Sequence, residues 1–261
     1  MASLEQSPEA VSTFVIKPLP NGVRVVLDPA DKAVCLNILH DRFERNELDF
    51  VERSIKPGDH VVDVGANVGY FALSMARVVG STGSVVAVEP SLRALQCLHA
   101  GVRENGYADR ITVIEAAAGI RDGDARFVAH RASTNGGSGF VLDDGASVVP
   151  EDHTATTVPL VRLATVVRRR PISFLKLDAE GSEPNILAGA DAILQEDRPV
   201  ILTELDPFCL ERVSKIRPCD LIDVMARRGY SCHRLGAGTA GVRIDDSHPS
   251  ATEPVVFLPI R

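Results

Sequence analysis

The chain has 261 residues, with 28 Lys and Arg against 35 Asp and Glu and a net charge of −7. An acidic surface repels phosphate backbones, which argues against sequence-independent binding of DNA or RNA. Apolar residues make up 45% and charged residues 24% of the chain, as in a globular protein that builds its own core. The five cysteines include no Cys-x-x-Cys pair, which argues against a disulfide scaffold and a zinc ribbon.

The first ten residues, MASLEQSPEA, have neither the basic nor the apolar region of a signal peptide. No apolar run reaches the roughly 18–20 residues that a membrane span needs. We therefore expect a cytoplasmic protein without a membrane partner.

The first apolar runs predict a small extension in front of the main domain. In TFVIKPLPNGVRVVLD, two such runs flank Asn21-Gly22, a pair that suits a tight hairpin turn. A helix is expected around residues 45–55, closed by Lys56-Pro57-Gly58. We predict a β-hairpin and helix extension over residues 1–55 and one main domain over residues 56–261.

From residue 60 onward, short apolar runs alternate with helical stretches, a pattern typical of a parallel sheet covered on both faces. Two further runs, 230–235 and 255–260, have no helix between them and predict an antiparallel edge pair. The other predicted strands are 60–64, 84–89, 111–117, 172–178 and 199–204, and the predicted helices are 70–79, 91–105, 184–195 and 218–228.

Residues 130–157 interrupt this alternation. They include Gly136, Gly137, Gly139 and Gly145 and show no usable periodicity. Irregular segments longer than about 12–15 residues are usually functional or disordered. Because this one follows the third strand at the ligand-binding edge, we predict a mobile lid over the acceptor, that is, over the substrate bound at this edge. A surface insertion without function is the alternative.

The segment HVVDVGANVGYF contains a glycine turn between a strand and a helix. Such a turn lets a ligand approach backbone N–H groups at a helix N-terminus. Asn67 stands where a dinucleotide fingerprint needs its second glycine, and Tyr70 stands at its third small position. The Gly-Lys-Ser/Thr of a phosphate-binding P-loop is absent.

The remaining pattern, Asp-x-Gly-x-x-x-Gly, places the Asp63 carboxylate beside the turn, where it repels phosphate and favours a cation. S-adenosylmethionine carries an ammonium and a sulfonium and no phosphate. Glu89 ends the next strand and is placed to accept ribose hydrogen bonds, or only to cap the following helix. The predicted cofactor-binding residues are Asp63, Gly65, Ala66, Asn67, Gly69, Tyr70, Glu89, Pro90, Ser91, Ala117 and Asp178.

The segments VVDVGANVGYFAL, VAVEPS, FLKLDAEGSEPNILAGADAIL and RPVILTEL occur in this order. Together they resemble the FkbM-type S-adenosylmethionine-dependent methyltransferases over about residues 47–205. The resemblance implies an α/β, Rossmann-like class I methyltransferase domain over residues 56–261. Its sheet would have seven mostly parallel strands in the order 3-2-1-4-5-7-6, with strand 7 antiparallel.

The resemblance also implies O-methyl transfer to a hydroxyl of a small molecule such as a sugar, a glycoside or another natural product. The chain departs from the family at Leu163-Ala164, where members often have Leu-Asp. Any role of that aspartate is therefore missing here.

The fourth predicted strand ends in Asp-Ala-Glu-Gly-Ser-Glu, at the sheet edge where open α/β folds bind ligands. We name Asp178, Glu180 and Glu204 as catalytic candidates, because a hydroxyl nucleophile needs alignment and a proton acceptor. Glu183 is assigned to the helix N-terminus, where a negative charge is stabilising. Mg²⁺ shared by Asp178 and Glu204 is a less favoured alternative.

Four histidines are weighed as proton acceptors. His60 and His99 are interpreted as structural, because they lie on a strand and a helix of the predicted core. His233 and His248 could reach the acceptor, but no spacing supports a catalytic role, and a solvated histidine is the favoured interpretation.

Competing functions remain at this stage. They are N-methyl transfer to a small molecule or peptide, and a module that binds S-adenosylmethionine without catalysis. An NAD(P) oxidoreductase is disfavoured by Asn67 and Tyr70, and a nucleic-acid amino-methyltransferase by the missing Asn/Asp-Pro-Pro-aromatic edge. We expect a small-molecule partner and leave homo-oligomerisation open.

The glycine turn predicts ligand selectivity that calorimetry can test. S-adenosylmethionine and its product S-adenosylhomocysteine should bind, and NADH should not, because the turn offers a carboxylate where a pyrophosphate would sit. Binding of NADH without any response to S-adenosylhomocysteine would overturn this assignment.

Overall fold

The computed structural model describes residues 14–32, 34–130, 139–142, 148–244 and 251–260. His248, Gly136, Gly137 and Gly145 lie outside these ranges. No described helix has the length and apolar character required to cross a bilayer.

The strands and helices are numbered along the chain. The strands are β1 (Val15–Pro18), β2 (Arg24–Leu27), β3 (His60–Val64), β4 (Ser84–Val88), β5 (Ile111–Ile114), β6 (Ala117–Ala118), β7 (Gly123–His130), β8 (Phe140–Leu142), β9 (His153–Val161), β10 (Ile172–Leu177), β11 (Val200–Leu205), β12 (Tyr230–Leu235), β13 (Ala240–Ile244) and β14 (Glu253–Pro259). The helices are α1 (Val34–Leu39), α2 (Arg45–Ser54), α3 (Tyr70–Val79), α4 (Leu92–Glu104), α5 (Leu163–Val166), α6 (Glu183–Gly189), α7 (Asp191–Glu196), α8 (Pro207–Val213) and α9 (Pro218–Arg227).

The central sheet has the order β13-β12-β14-β11-β10-β3-β4-β5. Strands β5, β4, β3, β10 and β11 are parallel to their neighbours, and β14 runs antiparallel between β11 and β12. Without β13, this is the predicted order 3-2-1-4-5-7-6, so the Rossmann-like α/β fold is confirmed. The short edge strand β13 pairs antiparallel with β12 and was not predicted.

The near-continuous apolar strands are explained by two hydrophobic cores, one on each face of the sheet. Because side chains alternate along a strand, Val61 and Phe174 enter one core while Val62 and Leu175 enter the other. Helices α2, α3 and α4 cover the first face, and α6, α7 and α9 cover the second. The sheet is therefore buried on both sides, as the sequence pattern predicts.

The N-terminal hairpin is present, with β1 and β2 antiparallel and Gly22 at a φ of 87° in the turn. The predicted helix is α2. Val25 and Val51 from this segment belong to the same apolar cluster as Val61 of the central sheet. The extension thus shares its core with the rest of the chain, and the boundary at residue 55 stays a prediction.

A second sheet, ordered β6-β9-β7-β8, follows the third strand of the central sheet. The expectation of an irregular segment over residues 130–157 is wrong for Phe140–Leu142 and for the first half of β9. Strand β9 pairs antiparallel with β7 along its length. Residues 154–157 of β9 are exposed on both faces, so the apolar alternation that would reveal a strand is absent there.

Two other expected elements are divided. The strand predicted at 111–117 ends at Ile114, and Ala117 pairs with β9 instead. The helix predicted at 184–195 is interrupted at Ala190, between α6 and α7. Helices α1, α5 and α8 and strand β7 were not predicted.

The fold makes a prediction at Gly65, where a β-carbon would collide with the carbonyl oxygen of Asp178. Gly106 has a similar positive φ of 67°, but nothing lies within 4 Å of its β-carbon position. Both Gly→Ala changes cost about 1 kcal/mol for the left-handed backbone. We expect G65A to lose about 1–3 kcal/mol more, since the adjacent strand must shift.

Urea unfolding of G65A and G106A measures the difference, and calorimetry with S-adenosylhomocysteine follows the same pair. G106A should bind like the wild type, and G65A should bind weakly. Equal stability and equal binding of the two variants would contradict the proposed tight contact.

Candidate active site

The loop between β3 and α3 is fixed against the ends of two neighbouring strands. The backbone N–H groups of Gly65 and Ala66 both donate to the Val88 carbonyl, at 3.0 and 3.1 Å. The N–H of Asp178 donates to the Val64 carbonyl at 3.0 Å. Gly65, Asn67 and Gly69 have φ values of 76°, 48° and 91°. The glycine turn predicted from the sequence is therefore present, and it is rigidly placed between β4 and β10.

Glu89 follows β4 and fastens this loop. Its Oε2 accepts from the Asn67 N–H and its Oε1 from the Ser91 N–H, each at 2.8 Å. Burial raises the pKa of Glu89 to about 7, although these two amide hydrogen bonds oppose the rise. Each oxygen keeps further acceptor capacity, and Glu89 lines the cleft. The carboxylate thus braces the loop and can still receive ligand hydroxyls.

Asp63 lies behind the loop at 1% exposure, and neither of its carboxylate oxygens has a hydrogen-bond partner among the described residues. Burial raises its pKa to about 6, and the positive charge of Lys176 opposes this rise. Oδ1 of Asn67, which lines the cleft, is also buried and unpartnered. A buried oxygen without a partner is costly unless a ligand satisfies it, so Asn67 Oδ1 fits a ligand with a donor group, and the charge of Asp63 nearby favours a cationic one.

A buried lysine lies among carboxylates at the end of β10. Lys176 is 4% exposed, and its Nζ lies 3.1 Å from Asp178 Oδ2 and 3.9 Å from Glu44 Oε2. Burial alone would lower the pKa of Lys176, but the charges of Asp178, Glu44 and Asp63 outweigh it and raise the pKa above its ordinary value. Lys176 is therefore an ammonium, and it lines the cleft.

The loop after Asp178 is held by Glu183. Glu183 Oε1 accepts from the N–H groups of Ala179 at 2.9 Å and Gly181 at 3.3 Å, within the first turn of α6. Its assignment as a structural charge at a helix N-terminus agrees with these contacts. Gly181 has a φ of 97°, and a β-carbon there would collide with the Cys209 carbonyl.

Glu180 and Glu204 both reach the cleft. Burial, with the nearby charge of Asp178, raises the pKa of each to about 7. Glu180 has a left-handed φ of 51° and accepts a weak hydrogen bond from Cys209 Sγ at 3.4 Å. Asp206 does not line the cleft; it caps α8 instead, where it accepts a hydrogen bond from the Cys209 N–H at 2.8 Å. Glu180 and Glu204 are thus two carboxylates near Asp178 with pKa values raised to about 7, a property they share with Glu89 and Glu183.

These groups meet in one cleft at the carboxyl edge of the sheet, with a volume of ≈ 1030 Å³ that includes its opening to solvent. Three predicted residues, Asp63, Gly69 and Ser91, do not line it: Asp63 lies behind the loop, and the other two form helix caps. The predicted residues that line it are Gly65, Ala66, Asn67, Tyr70, Glu89, Pro90, Ala117, Asp178, Glu180 and Glu204.

The histidines considered as proton acceptors that the structure describes, His60, His99 and His233, do not line the cleft. His60 contacts Ser84 Oγ at 2.9 Å at the opposite edge of the sheet, and His99 contacts Glu115 at 2.9 Å. His233 contacts Ser231 Oγ at 3.0 Å on β12, which lies between β13 and β14.

Among the described residues, no three His, Cys, Asp or Glu side chains are placed to hold a metal ion. The Lys176 ammonium already lies against Asp178, where it would repel a second cation. The surroundings of Asp178 therefore fit Mg²⁺ poorly.

Sequence reasoning missed Lys176 and the wall formed by the N-terminal segment. Lys176 lies two residues before Asp178 and therefore on the same side of the strand, a signal that the period of two could have revealed. Phe43 and Glu44 line the cleft from the segment before α2, where Tyr70 Oη donates to the Phe43 carbonyl at 3.0 Å. The second sheet adds Phe127, Gly139 and Val141.

Comparison with known proteins agrees with this geometry. The family model for the methyltransferase FkbM domain matches residues 63–232. The chain belongs to the FkbM methyltransferase family. It is thus an S-adenosylmethionine-dependent methyltransferase by family, with the class I fold.

Three relatives illustrate the range of similarity. The 31-O-demethyl-FK506 methyltransferase FkbM of Streptomyces tacrolimicus is 30% identical, over 66% of this chain and 74% of its own. The crystal structure of methyltransferase FkbM from Methylobacillus flagellatus KT is 19% identical with a TM-score of 0.48, over 88% of this chain and 55% of its own. A Clostridium thermocellum structure, proposed to be an rRNA methylase, is 12% identical with a TM-score of 0.50, over 82% of this chain and 94% of its own.

The buried carboxylates of this FkbM-family protein predict an unusual dependence of stability on pH. The pKa values of Asp63, Glu89, Glu183 and Glu44 are raised to about 6, 7, 7 and 8, chiefly by burial. A carboxyl group whose pKa is higher in the folded protein stabilises the fold below its unfolded pKa of about 4. That stability is lost as the pH rises through the folded values.

We therefore expect the ligand-free protein to unfold at lower urea concentration at pH 8 than at pH 5.5. E183Q should flatten this dependence, since the amide oxygen can still accept from Ala179 and Gly181 without ionising. E151Q, at an exposed position, is the matched control and should leave it unchanged. A free energy of unfolding that rises from pH 5.5 to pH 8 would contradict the raised pKa values of these buried carboxyl groups.

Proposed function

We propose that this FkbM-family protein transfers the methyl group of S-adenosylmethionine to a hydroxyl oxygen of a small molecule. The observation that carries this proposal is the common cleft of the glycine loop and of the carboxylates that follow β10 and β11. A methyl donor held by the loop and an acceptor held by the carboxylates would be adjacent there. Placing two reactants in line can supply ~7–11 kcal/mol of the barrier.

The loop residues would hold the methyl donor. Glu89 would accept from the ribose hydroxyls with the lone pairs that Asn67 and Ser91 leave available. Asn67 Oδ1 and the charge of Asp63 would receive the ammonium, and Pro90 and Ala117 would form apolar walls beside the adenosine. S-adenosylmethionine, when bound, supplies a methyl group on a positively charged sulfur that leaves as a neutral thioether.

The carboxylates would prepare the acceptor. A catalytic base works best when its pKa is close to the working pH, and the values of about 7 for Glu180 and Glu204 meet this condition. Asp178, hydrogen-bonded to Lys176, would orient the acceptor hydroxyl. The donor and the base are thus assigned to the same cleft.

Two further observations support a small hydroxylated acceptor. The Streptomyces relative is named as a methyltransferase of 31-O-demethyl-FK506, and this chain covers 74% of it. The net charge of −7 and the acidic cleft disfavour a nucleic acid. N-methyl transfer to a small molecule or peptide is the second candidate, because an amine could use the same carboxylates.

The test is methyl transfer from 13C-methyl-labelled S-adenosylmethionine to a panel of sugars, glycosides, macrolides, phenols and amines, with and without EDTA. The carbon chemical shift of the product distinguishes O-methyl from N-methyl groups. O-methyl products that form equally in EDTA would support the proposal. Exclusive N-methylation, or binding of S-adenosylhomocysteine with no turnover on any class, would refute it.

The role proposed for Asp178 predicts how removal of its charge changes activity. D178N keeps the shape but loses the charge, so kcat should fall about 10²–10⁴-fold while the Kd of S-adenosylhomocysteine changes only a few-fold. D223N, at an exposed position on α9, is the matched control. Equal losses of kcat and of binding would place Asp178 in the cofactor site instead.

The role of Glu204 as the base predicts how kcat depends on pH. If Glu204 takes the proton, kcat of the wild type should rise with pH through about 7, since only the deprotonated carboxylate accepts a proton. E204Q should lose this rise together with most of the activity, and E180Q should keep it. The reverse result would assign the base to Glu180, and an unchanged profile in both variants would exclude them.

A further inference from the structure

Lys176 is a cationic side chain that lines the cleft, and the proposed methyl transfer gives it no chemical role of its own. It lies between Leu175 and Leu177 on β10, and lysine is almost never so deeply buried unless its charge is paired, as it is here with Asp178. Its ammonium also lies 4.3 Å from the centre of the Phe71 ring. The strand, the ring and the carboxylates hold the ammonium at one place beside Asp178.

The hydrogen bonds of Lys176 are incomplete. An ammonium has three N–H donors and accepts nothing. Among the described residues, only Asp178 Oδ2 is within hydrogen-bond distance of Nζ, at 3.1 Å, because Glu44 Oε2 is 3.9 Å away. The other donors of this 4% exposed side chain have no oxygen acceptor within hydrogen-bond distance among the described residues, and Lys176 lines the cleft. Buried donors call for oxygen acceptors, and a ligand in the cleft can supply one.

The positive charge of Lys176 favours a hydroxyl acceptor over an amine. When a hydroxyl is methylated and loses its proton, negative charge develops on oxygen, and a neighbouring ammonium stabilises it. When a neutral amine is methylated, positive charge develops on nitrogen, and the same ammonium repels it. Fixed charges in a cleft of low dielectric act strongly on such differences.

We propose that Lys176 is a catalytic residue that donates a hydrogen bond to the acceptor oxygen and stabilises its developing negative charge. This inference rests on the proposed O-methyl transfer. The acceptor oxygen forms the new bond to the methyl carbon, the carbon–sulfur bond breaks, and its electron pair stays on sulfur. The hydroxyl proton passes to the Glu204 carboxylate. Lys176 keeps its proton throughout, and the products are the methyl ether and S-adenosylhomocysteine.

A spectroscopic test uses 4-nitrophenol as the probe, because its phenolate and phenol forms absorb at different wavelengths. Bound to the wild type saturated with S-adenosylhomocysteine, the probe should ionise at lower pH than in water. K176R should retain this shift, K176M should abolish it, and K56M, at an exposed position, should not alter it. An equal shift in K176M, or no binding at millimolar concentration, would overturn the inference.

A kinetic test uses hydroxylated acceptors found in the methyl-transfer panel. K176M should lower kcat about 10²–10³-fold, as removal of an oxyanion donor does, with a few-fold change at most in S-adenosylhomocysteine binding. The loss should shrink as the acceptor hydroxyl becomes more acidic, which a purely structural lysine would not cause. If the wild type methylates a hydroxyl and K176M has the same kcat, only the inference about Lys176 is refuted. If the wild type methylates no hydroxyl, the proposed function itself is refuted.

Discussion

The contact between Gly65 and the carbonyl of Asp178 fixes the geometry of the whole site. It joins the loop after β3 to the end of β10 so closely that no β-carbon fits between them. The hydrogen bond from Asp178 N–H to Val64 continues the strand pairing up to this point. Because both segments are backbone, neither can move without the other. The loop that would receive a methyl donor and the carboxylates that would receive an acceptor are therefore held together by the sheet itself.

The second determinant is an excess of negative charge in a buried place. Glu44, Glu89, Asp178, Glu180 and Glu204 line the cleft, and Lys176 is the cation among its described lining residues. Burial of so many carboxylates destabilises their ionised forms, which is why the pKa values of several of them rise toward neutrality. A cationic methyl donor would offset part of this charge. An affinity for a sulfonium and a catalytic base near neutral pH would thus have one physical origin.

Much of this arrangement was predictable from the sequence because it depends on short-range patterns. The period of the apolar runs gave the parallel sheet, and the spacing of Asp63, Gly65 and Gly69 gave the loop. Glu44 and the second sheet were not predictable in the same way. Glu44 reaches the cleft through a left-handed φ of 37° and through tertiary packing, neither of which has a marker in the sequence. The Thr-rich half of β9 is exposed on both faces and lacks the alternation by which strands are identified.

The parts that were hardest to predict are also those that surround the acceptor. Phe43 and Glu44 come from the segment before α2, and Phe127, Gly139 and Val141 come from the second sheet. The family match covers residues 63–232, so Phe43 and Glu44 lie outside it. In the proposed reaction the β3 loop and the end of β10 would set the chemistry, because donor and base must meet at a fixed distance. The peripheral walls are under no such constraint and can change shape while methyl transfer is kept. Acceptor choice in this protein should therefore be determined by Glu44, Phe43 and the second sheet.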